Sequence, residues 1–221
     1  MCGRFTLAID PQELAQAFDL AEAPDEFPPR YNIAPSQPIA AILKHPDDPE
    51  RHFHLLKWGL IPSWSKDPSI GNRMINARGE TVSEKPSFRA AFKRRRCLIP
   101  ATGFYEWQKH QGGKQPFYIC LQNQQPFAFA GLWETWQDIS TATIITTSAN
   151  QQLEPIHNRM PVILNSEDYD TWLDPESQDT ADLQSLLKPF PAEAIEAYPV
   201  STHVNKPAND SPECIAPMSS A

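Results

Sequence analysis

Glycine is scarce in this chain: 8 residues of 221, against 23 prolines. Average usage would put glycine near 7% and proline near 5%. Proline ends or kinks helices, so long uninterrupted helices are excluded. No apolar run approaches the roughly 18 residues of a membrane span. The opening MCGRFTLAID lacks the basic and apolar regions of a secretory leader. The expectation is a cytoplasmic protein with no membrane attachment. Cysteines number four, at 2, 97, 120 and 214, and none forms a CxxC pair. That argues against a zinc knuckle or a dithiol redox motif and for free thiols. Cys97 and Cys120 lie in apolar runs and read as small buried hydrophobes. His52 and His54 alternate without a third ligand, so they read as surface strand residues. No metal and no cofactor is expected.

Charge is unevenly spread. The net charge is −8. Residues 57–109 nevertheless carry eleven basic and four acidic side chains, while 111–221 carry four and fourteen. An acidic protein can therefore present a basic face, and a polyanion responds to local field.

Apolar residues make up 40% and charged residues 21%, which is a globular composition. At roughly 150 residues per domain, the length fits one large domain. Asp10 as N-cap, Pro11 at N1 and Glu13 at N3 predict a helix over about 11–19. Residues 20–36 read as irregular. Aromatic and β-branched runs predict strands at 38–43, 52–58, 97–107, 116–121, 127–133, 142–147, 161–164 and 195–200. Gly112-Gly113 predicts a hairpin. Further helices are expected over 86–95, 167–173 and from Asp179 or Thr180 to Leu187. The fold class is α+β: a single compact domain over residues 1–215, with a curved antiparallel sheet or barrel-like core and a few short flanking helices. Residues 216–221 are expected to form a loose tail, and the protein is expected to be a monomer.

Four places could carry chemistry. Cys2 follows a methionine that is removed when the next residue is small. A free N-terminal cysteine is a 1,2-aminothiol. Its amine condenses with an aldehyde to an imine, and its thiol then closes a thiazolidine ring. An internal cysteine cannot do this, because its nitrogen is an amide. The segment Asn76-Ala77-Arg78-Gly79-Glu80-Thr81 clusters polar groups in a loop after a short turn. Arginine grips phosphate by paired hydrogen bonds, and asparagine grips hydroxyls or amides. Glu106 interrupts an aromatic strand, with Phe104 and Gln108 on its face and Tyr105 and Trp107 on the other. A carboxylate there suits general acid–base work. His157 lies beside Arg159 in a polar loop, where an imidazole can shuttle protons. Trp64, in Pro62-Ser63-Trp64-Ser65-Lys66, has the composition of a base-stacking platform. The other tryptophans read mostly as core.

Taken together, MCGRFT, RYNIAPSQ at 30–37, WGLIPSW at 58–64, NARGET at 76–81, RRCLIPATGFYEW at 95–107, AGLWETW at 130–136, TTSAN at 146–150 and IHNRMPVIL at 156–164 resemble the SOS-response-associated peptidase (SRAP) family. The resemblance spans nearly the whole chain. It implies covalent capture of abasic sites in single-stranded DNA by Cys2 once Met1 is removed, and thereby shielding of the lesion. It also implies self-processing peptidase activity. Asn76 and His157 are then positioning and proton-transfer partners, and Glu106 is the acid/base that also permits reversal. Arg4, Arg78 and Thr146 (or Thr147) match positions that hold DNA phosphates, and Arg159 joins the DNA-binding set. Asn32, Pro35, Trp64 and Trp107 match parts of the site or of the wedge that separates bases. Two other classes fit parts of the sequence. An N-terminal-nucleophile amidase would also begin with cysteine. It needs an oxyanion hole, and no glycine-rich motif supplies one. A plain single-strand-binding module would leave Cys2, Glu106 and His157 unexplained.

Overall fold

The computed structural model describes residues 2–177 and 179–218. The chain opens with β1 (Phe5–Leu7) and α1 (Pro11–Phe18). Asp10 caps α1 as expected, its carboxylate accepting the Glu13 N–H at 2.8 Å. Leu14 and Phe18 form the buried stripe. Next come β2 (Arg30–Ile33), β3 (Pro38–His45), β4 (Asp48–Trp58) and β5 (Asn76–Arg78). The middle of the chain holds α2 (Arg89–Arg94), β6 (Arg96–Ala101), β7 (Gly103–His110), β8 (Gly113–Leu121), β9 (Phe127–Trp136) and β10 (Ile139–Ser148). The chain continues through β11 (Arg159–Pro161), β12 (Ile163–Leu164), α3 (Tyr169–Leu173), α4 (Thr180–Ser185) and β13 (Ile195–Pro199).

Two sheets share one core. The first has the order β13-β8-β7-β1-β2. In the second, the pairings β4–β3, β3–β6, β6–β9, β9–β10 and β10–β4 close a ring. β11, β12 and β5 attach to its strands. Phe5, Trp58, Phe104 and Phe129 meet edge to face between the sheets, an arrangement favoured by the ring quadrupoles. The class is α+β, with a curved, partly ring-like core. The pairing is not wholly antiparallel: β10 runs parallel to β4 and to β5. The excursion from Trp58 to Asn76 returns the chain to β10 in the same direction.

Several boundaries differ from the sequence expectation, each for a tertiary reason. The run 97–107 is two strands in two different sheets. They part at Thr102, whose N–H donates across to the Thr6 carbonyl at 2.8 Å. β2 forms within the proline-rich stretch because β1 offers it an edge. The Asn76–Arg78 segment, expected as a loop, is a strand because β10 pairs with it. The helix expected over 86–95 is shorter, and turns occupy its first residues. The β7–β8 hairpin turns at Gln111-Gly112, with Gly113 already opposite His110. Gly103 permits close packing: a Cβ there would sit 2.3 Å from the Tyr118 ring. At the C-terminal end, Pro217 bridges Val200 and the Met218 N–H donates to Pro199 at 3.0 Å. Residues 219–221 of the expected tail lie outside the described residues. Among the described residues no helix is long and apolar enough to cross a membrane.

Candidate active site and nucleic-acid face

The site forms where the N-terminus leaves β1 and meets both sheets. β1 sets Phe5 opposite Phe104, and the Tyr105 N–H donates to the Arg4 carbonyl at 3.0 Å. Continued by two residues, that antiparallel register brings the start of the chain alongside Glu106. Cys2 is fully buried, with its Sγ 3.8 Å from the Arg4 carbonyl oxygen. From the second sheet, Asn76 Nδ2 donates to the Cys2 carbonyl oxygen at 2.8 Å. Asn76 reaches it because β5 is pinned on β10, Asn76 opposite Ile144. Its Oδ1 is buried without a hydrogen-bond partner among the described residues, an acceptor that the protein leaves unused.

Glu106 is 5% exposed. β7 lies between β1 and β8, so this glutamate is no solvent-facing residue on an edge. Alternation places Phe104 in the shared core, while Tyr105 and Trp107 join a smaller cluster on the other face. Burial, and then the negative charge of Glu106, push the Cys2 thiol well above the ordinary thiol range. The buried thiol therefore stays protonated.

A second group gathers along the end of β10. Thr146 stands opposite Arg78 of β5 on one side, and Ser148 opposite Arg159 of β11 on the other. Arg159 grips Glu80 by two nitrogens, at 2.5 and 2.9 Å, and the Thr146 carbonyl at 2.7 Å. This fork geometry is the strong form of the ion pair, and it holds the Glu80 carboxyl below the usual carboxylate range. The Arg159 backbone N–H donates to His157 Nδ1 at 3.0 Å. That bond assigns the neutral imidazole its proton on Nε2. Arg78 is exposed at the end of β5. Thr146 and Thr147 are both buried. The Thr146 hydroxyl donates to the Ala77 carbonyl at 3.3 Å, which occupies its proton. Ser148, which ends that strand, is exposed.

Arg4, Asn32 and Trp107 form a third group. The Arg4 guanidinium donates to Asn32 Oδ1 at 2.6 Å, to the Val204 carbonyl at 2.9 Å and to the Asn205 carbonyl at 3.2 Å. It also lies over the Trp107 ring at 6.0 Å, a cation–π distance. Trp107 Nε1 donates to Asn205 Oδ1 at 2.8 Å. Asn32 is fully buried, and its Nδ2 faces the carbonyls of Val204, Lys206 and Asn209. Its side chain thus holds Arg4 and the 204–209 segment together. No local pattern points to this segment or to Asp210, which accepts the Tyr31 and Asn32 N–H groups. Their partners lie about 170 positions away, beyond the reach of any local pattern.

Two rim residues stand apart. Pro35 is half-buried in the turn before β3, next to Ser36 at φ 70°. Trp64 is 61% exposed at a turn closed by the Ser65 N–H on the Pro62 carbonyl at 2.9 Å. Trp58 and Trp172 are fully buried, as expected of core tryptophans.

The structure thus brings Cys2, Asn76 and Glu106 together and aligns Arg78, His157 and Arg159 along one neighbouring strand end. This is the arrangement of a site built on a cysteine at the chain start. The profile of the SOS response associated peptidase (SRAP) family matches residues 1–207. This chain belongs to that family. It is 48% identical to the abasic site processing protein YoqW of Bacillus subtilis, over 97% of this chain and 99% of that one. It is 32% identical to the abasic site processing protein HMCES of Xenopus tropicalis, over 98% of this chain and 78% of that one. A crystal structure of a Bacteroides thetaiotaomicron protein superposes with a TM-score of 0.87 at 29% identity, covering 98% of this chain and all of that one.

Proposed function

We propose that this chain processes abasic sites in DNA by capturing them covalently on Cys2, and so shields them. The observation that carries the reading is the pinned Cys2: Asn76 donates to its carbonyl, and Glu106 lies close enough to act on its thiol. While residue 1 is attached, the Cys2 nitrogen is an amide and the thiol is buried and protonated. Loss of Met1 frees the amine, and that cleavage is the peptidase step appropriate to the family's name.

The ring-opened abasic sugar presents an aldehyde. The Cys2 amine attacks C1′ and forms a carbinolamine, which loses one water to give the imine. The thiol then adds across the C=N bond: sulfur bonds to C1′, and the thiol proton ends on nitrogen. The product is a thiazolidine, and the sum is protein plus DNA less one water. Glu106 moves protons among amine, hydroxyl and thiol, and the same transfers in reverse release the sugar. His157, with its proton on Nε2, donates to the departing sugar oxygen. Asn76 fixes the Cys2 carbonyl and so the direction of the amine. Arg78 holds a flanking phosphate. Trp64 stacks on a base, and Pro35 lines the rim. Arg4, Asn32, Trp107 and Arg159 act chiefly by position, since protein acceptors already occupy Arg4, Asn32 and Arg159. Single-stranded DNA fits best, because an exposed tryptophan needs an unstacked base. The protein acts as a monomer and without a metal.

The test is a denaturing gel with intact mass, on Met1-free protein mixed with single-stranded DNA carrying one abasic site. A heat- and SDS-stable band with the mass of protein plus DNA less one water is expected. It should vanish in Cys2→Ala and persist in Cys97→Ala. No such band, with the N-terminal amine confirmed free, overturns the reading.

A further inference from the structure

A basic cleft of about 530 Å³ lies outside the site beside α2, lined by Ser83, Glu84, Arg89, Lys93, Arg94 and Arg95. Arg89, Lys93 and Arg94 are exposed. Among the described residues none of these three forms an ion pair, whereas Arg95 is held by Glu134 at 2.6 Å. Under the helix lies a further cation. Arg96 is 4% exposed, and its guanidinium donates to the carbonyls of Phe92, Lys93, Trp172, Asp174 and Ser177. Burial lowers it to about 10, which leaves it charged at neutral pH. Arg96 therefore fixes the C-terminal turn of α2 and adds positive potential beneath an already basic surface. Glu84 is the one acidic residue of the lining.

This cleft is joined to the tryptophan turn. Glu134 and Trp136 are two residues apart on β9 and share a face. Glu134 holds Arg95, and Trp136 Nε1 donates to the Ser65 carbonyl at 2.7 Å. One strand face thus braces both the basic cleft and the turn that carries exposed Trp64. The same excursion of the chain then returns as β5, with Asn76 and Arg78. An exposed aromatic linked through one strand to a group of uncompensated cations is what a single strand of nucleic acid requires: a stacking plate and a phosphate track.

We infer that the α2 cleft binds the phosphate backbone of the DNA strand flanking the lesion, continuing the track from Arg78 past Trp64 to Arg89, Lys93 and Arg94. The inference rests on the capture reading above and adds the path of the strand beyond it. Its contribution is to affinity, through counterion release, and not to the covalent step.

The experiment compares the parent with Arg89→Ala/Lys93→Ala/Arg94→Ala, both Met1-free. Non-covalent affinity is measured by fluorescence anisotropy in a Cys2→Ala background, across a salt series, on a long single strand with a central abasic site. Each lost phosphate contact should lower the slope of log K against log salt by about 0.7. The triple variant should bind roughly tenfold more weakly, with a slope shallower by about 2. The charge-keeping variant Arg89→Lys/Arg94→Lys should bind like the parent, which excludes a folding defect. In the Cys2 background, adduct yield at saturating DNA should be unchanged. Unaltered affinity and slope overturn the inference, and so does an unaltered affinity with a lost adduct. The two readings fail separately. A parent that gives no covalent band while the triple variant loses affinity removes the capture and leaves the cleft. A parent that crosslinks while the triple variant binds normally does the reverse.

Discussion

Asn76 Nδ2 and the Cys2 carbonyl oxygen are 2.8 Å apart, a bond between residues 74 positions apart, one in the second sheet and one just before the first sheet's β1. Neither residue could hold the other without β10, which positions β5, and β7, which positions β1. Removing that bond should therefore disturb the chemistry more than the fold. A neutral hydrogen bond contributes about 1 kcal/mol net. Asn76→Ala is expected to slow adduct formation at saturating DNA by about fivefold or more, with little change in thermal midpoint. Single-turnover gel kinetics measure the rate, and calorimetry the midpoint.

Glu106→Gln keeps the shape and removes the proton relay. General acid–base catalysis is worth about 10²–10⁴-fold. Capture and release use the same transfers, so both should slow by about 100-fold. The release rate is read by chasing a preformed adduct with excess unlabelled abasic DNA. A variant that slows capture alone would show that a different group protonates the ring on reversal.

Trp64 and Trp58 give opposite predictions from the same side chain. Trp64 is exposed, so Trp64→Ala should shift stability by less than about 0.5 kcal/mol. A lost base stack costs about 1–3 kcal/mol, so DNA affinity should fall by about tenfold. Trp58 is fully buried, and its Nε1 donates to the Ile75 carbonyl at 2.9 Å. Trp58→Ala should cost about 3–5 kcal/mol of stability. Parallel denaturant melts and anisotropy titrations separate the two.

Asp170 accepts from Lys44 at 2.7 Å and Arg51 at 2.9 Å. Lys44 first, and then Arg51, hold its carboxyl below the usual carboxylate range. A depressed carboxylate stabilises the fold above its unfolded pKa and loses that contribution as pH falls through the folded value. The effect should appear as a fall in thermal midpoint below about pH 4. Because Asp170 is largely exposed, the change should be small and salt-sensitive. In Asp170→Asn the midpoint should be lower near neutral pH and should fall less steeply in acid.

Arg96 tests the support of α2. Its loss would orphan five carbonyl contacts, two of them fully buried. Arg96→Met should cost about 3 kcal/mol or more, since unmet buried polar groups keep their full desolvation penalty. Arg96→Lys should recover little, because one ammonium cannot reach a forked set of acceptors. Denaturant melts of both variants, compared at constant m-value, give the measurement.

Much of this protein is determined by short-range sequence. Asp10-Pro11-x-Glu13 starts α1, the alternation in 103–108 sends Glu106 to one side and Trp107 to the other, and the ordered motifs name the family. Those features depend on spacing within a few residues, where sterics and capping act directly. The tertiary structure alone decided the rest. Asn76–Arg78 is a strand only because β10 offers it partners. Thr146 is buried where β5 and β11 flank it on both sides. Asn32 clamps Arg4 because the 204–209 segment folds back upon it, and Arg159 spends its fork on Glu80 for the same kind of reason. Polar side chains advertise hydrogen bonds without naming the partner. Which partner is met depends on where distant segments come to lie, and only packing decides that.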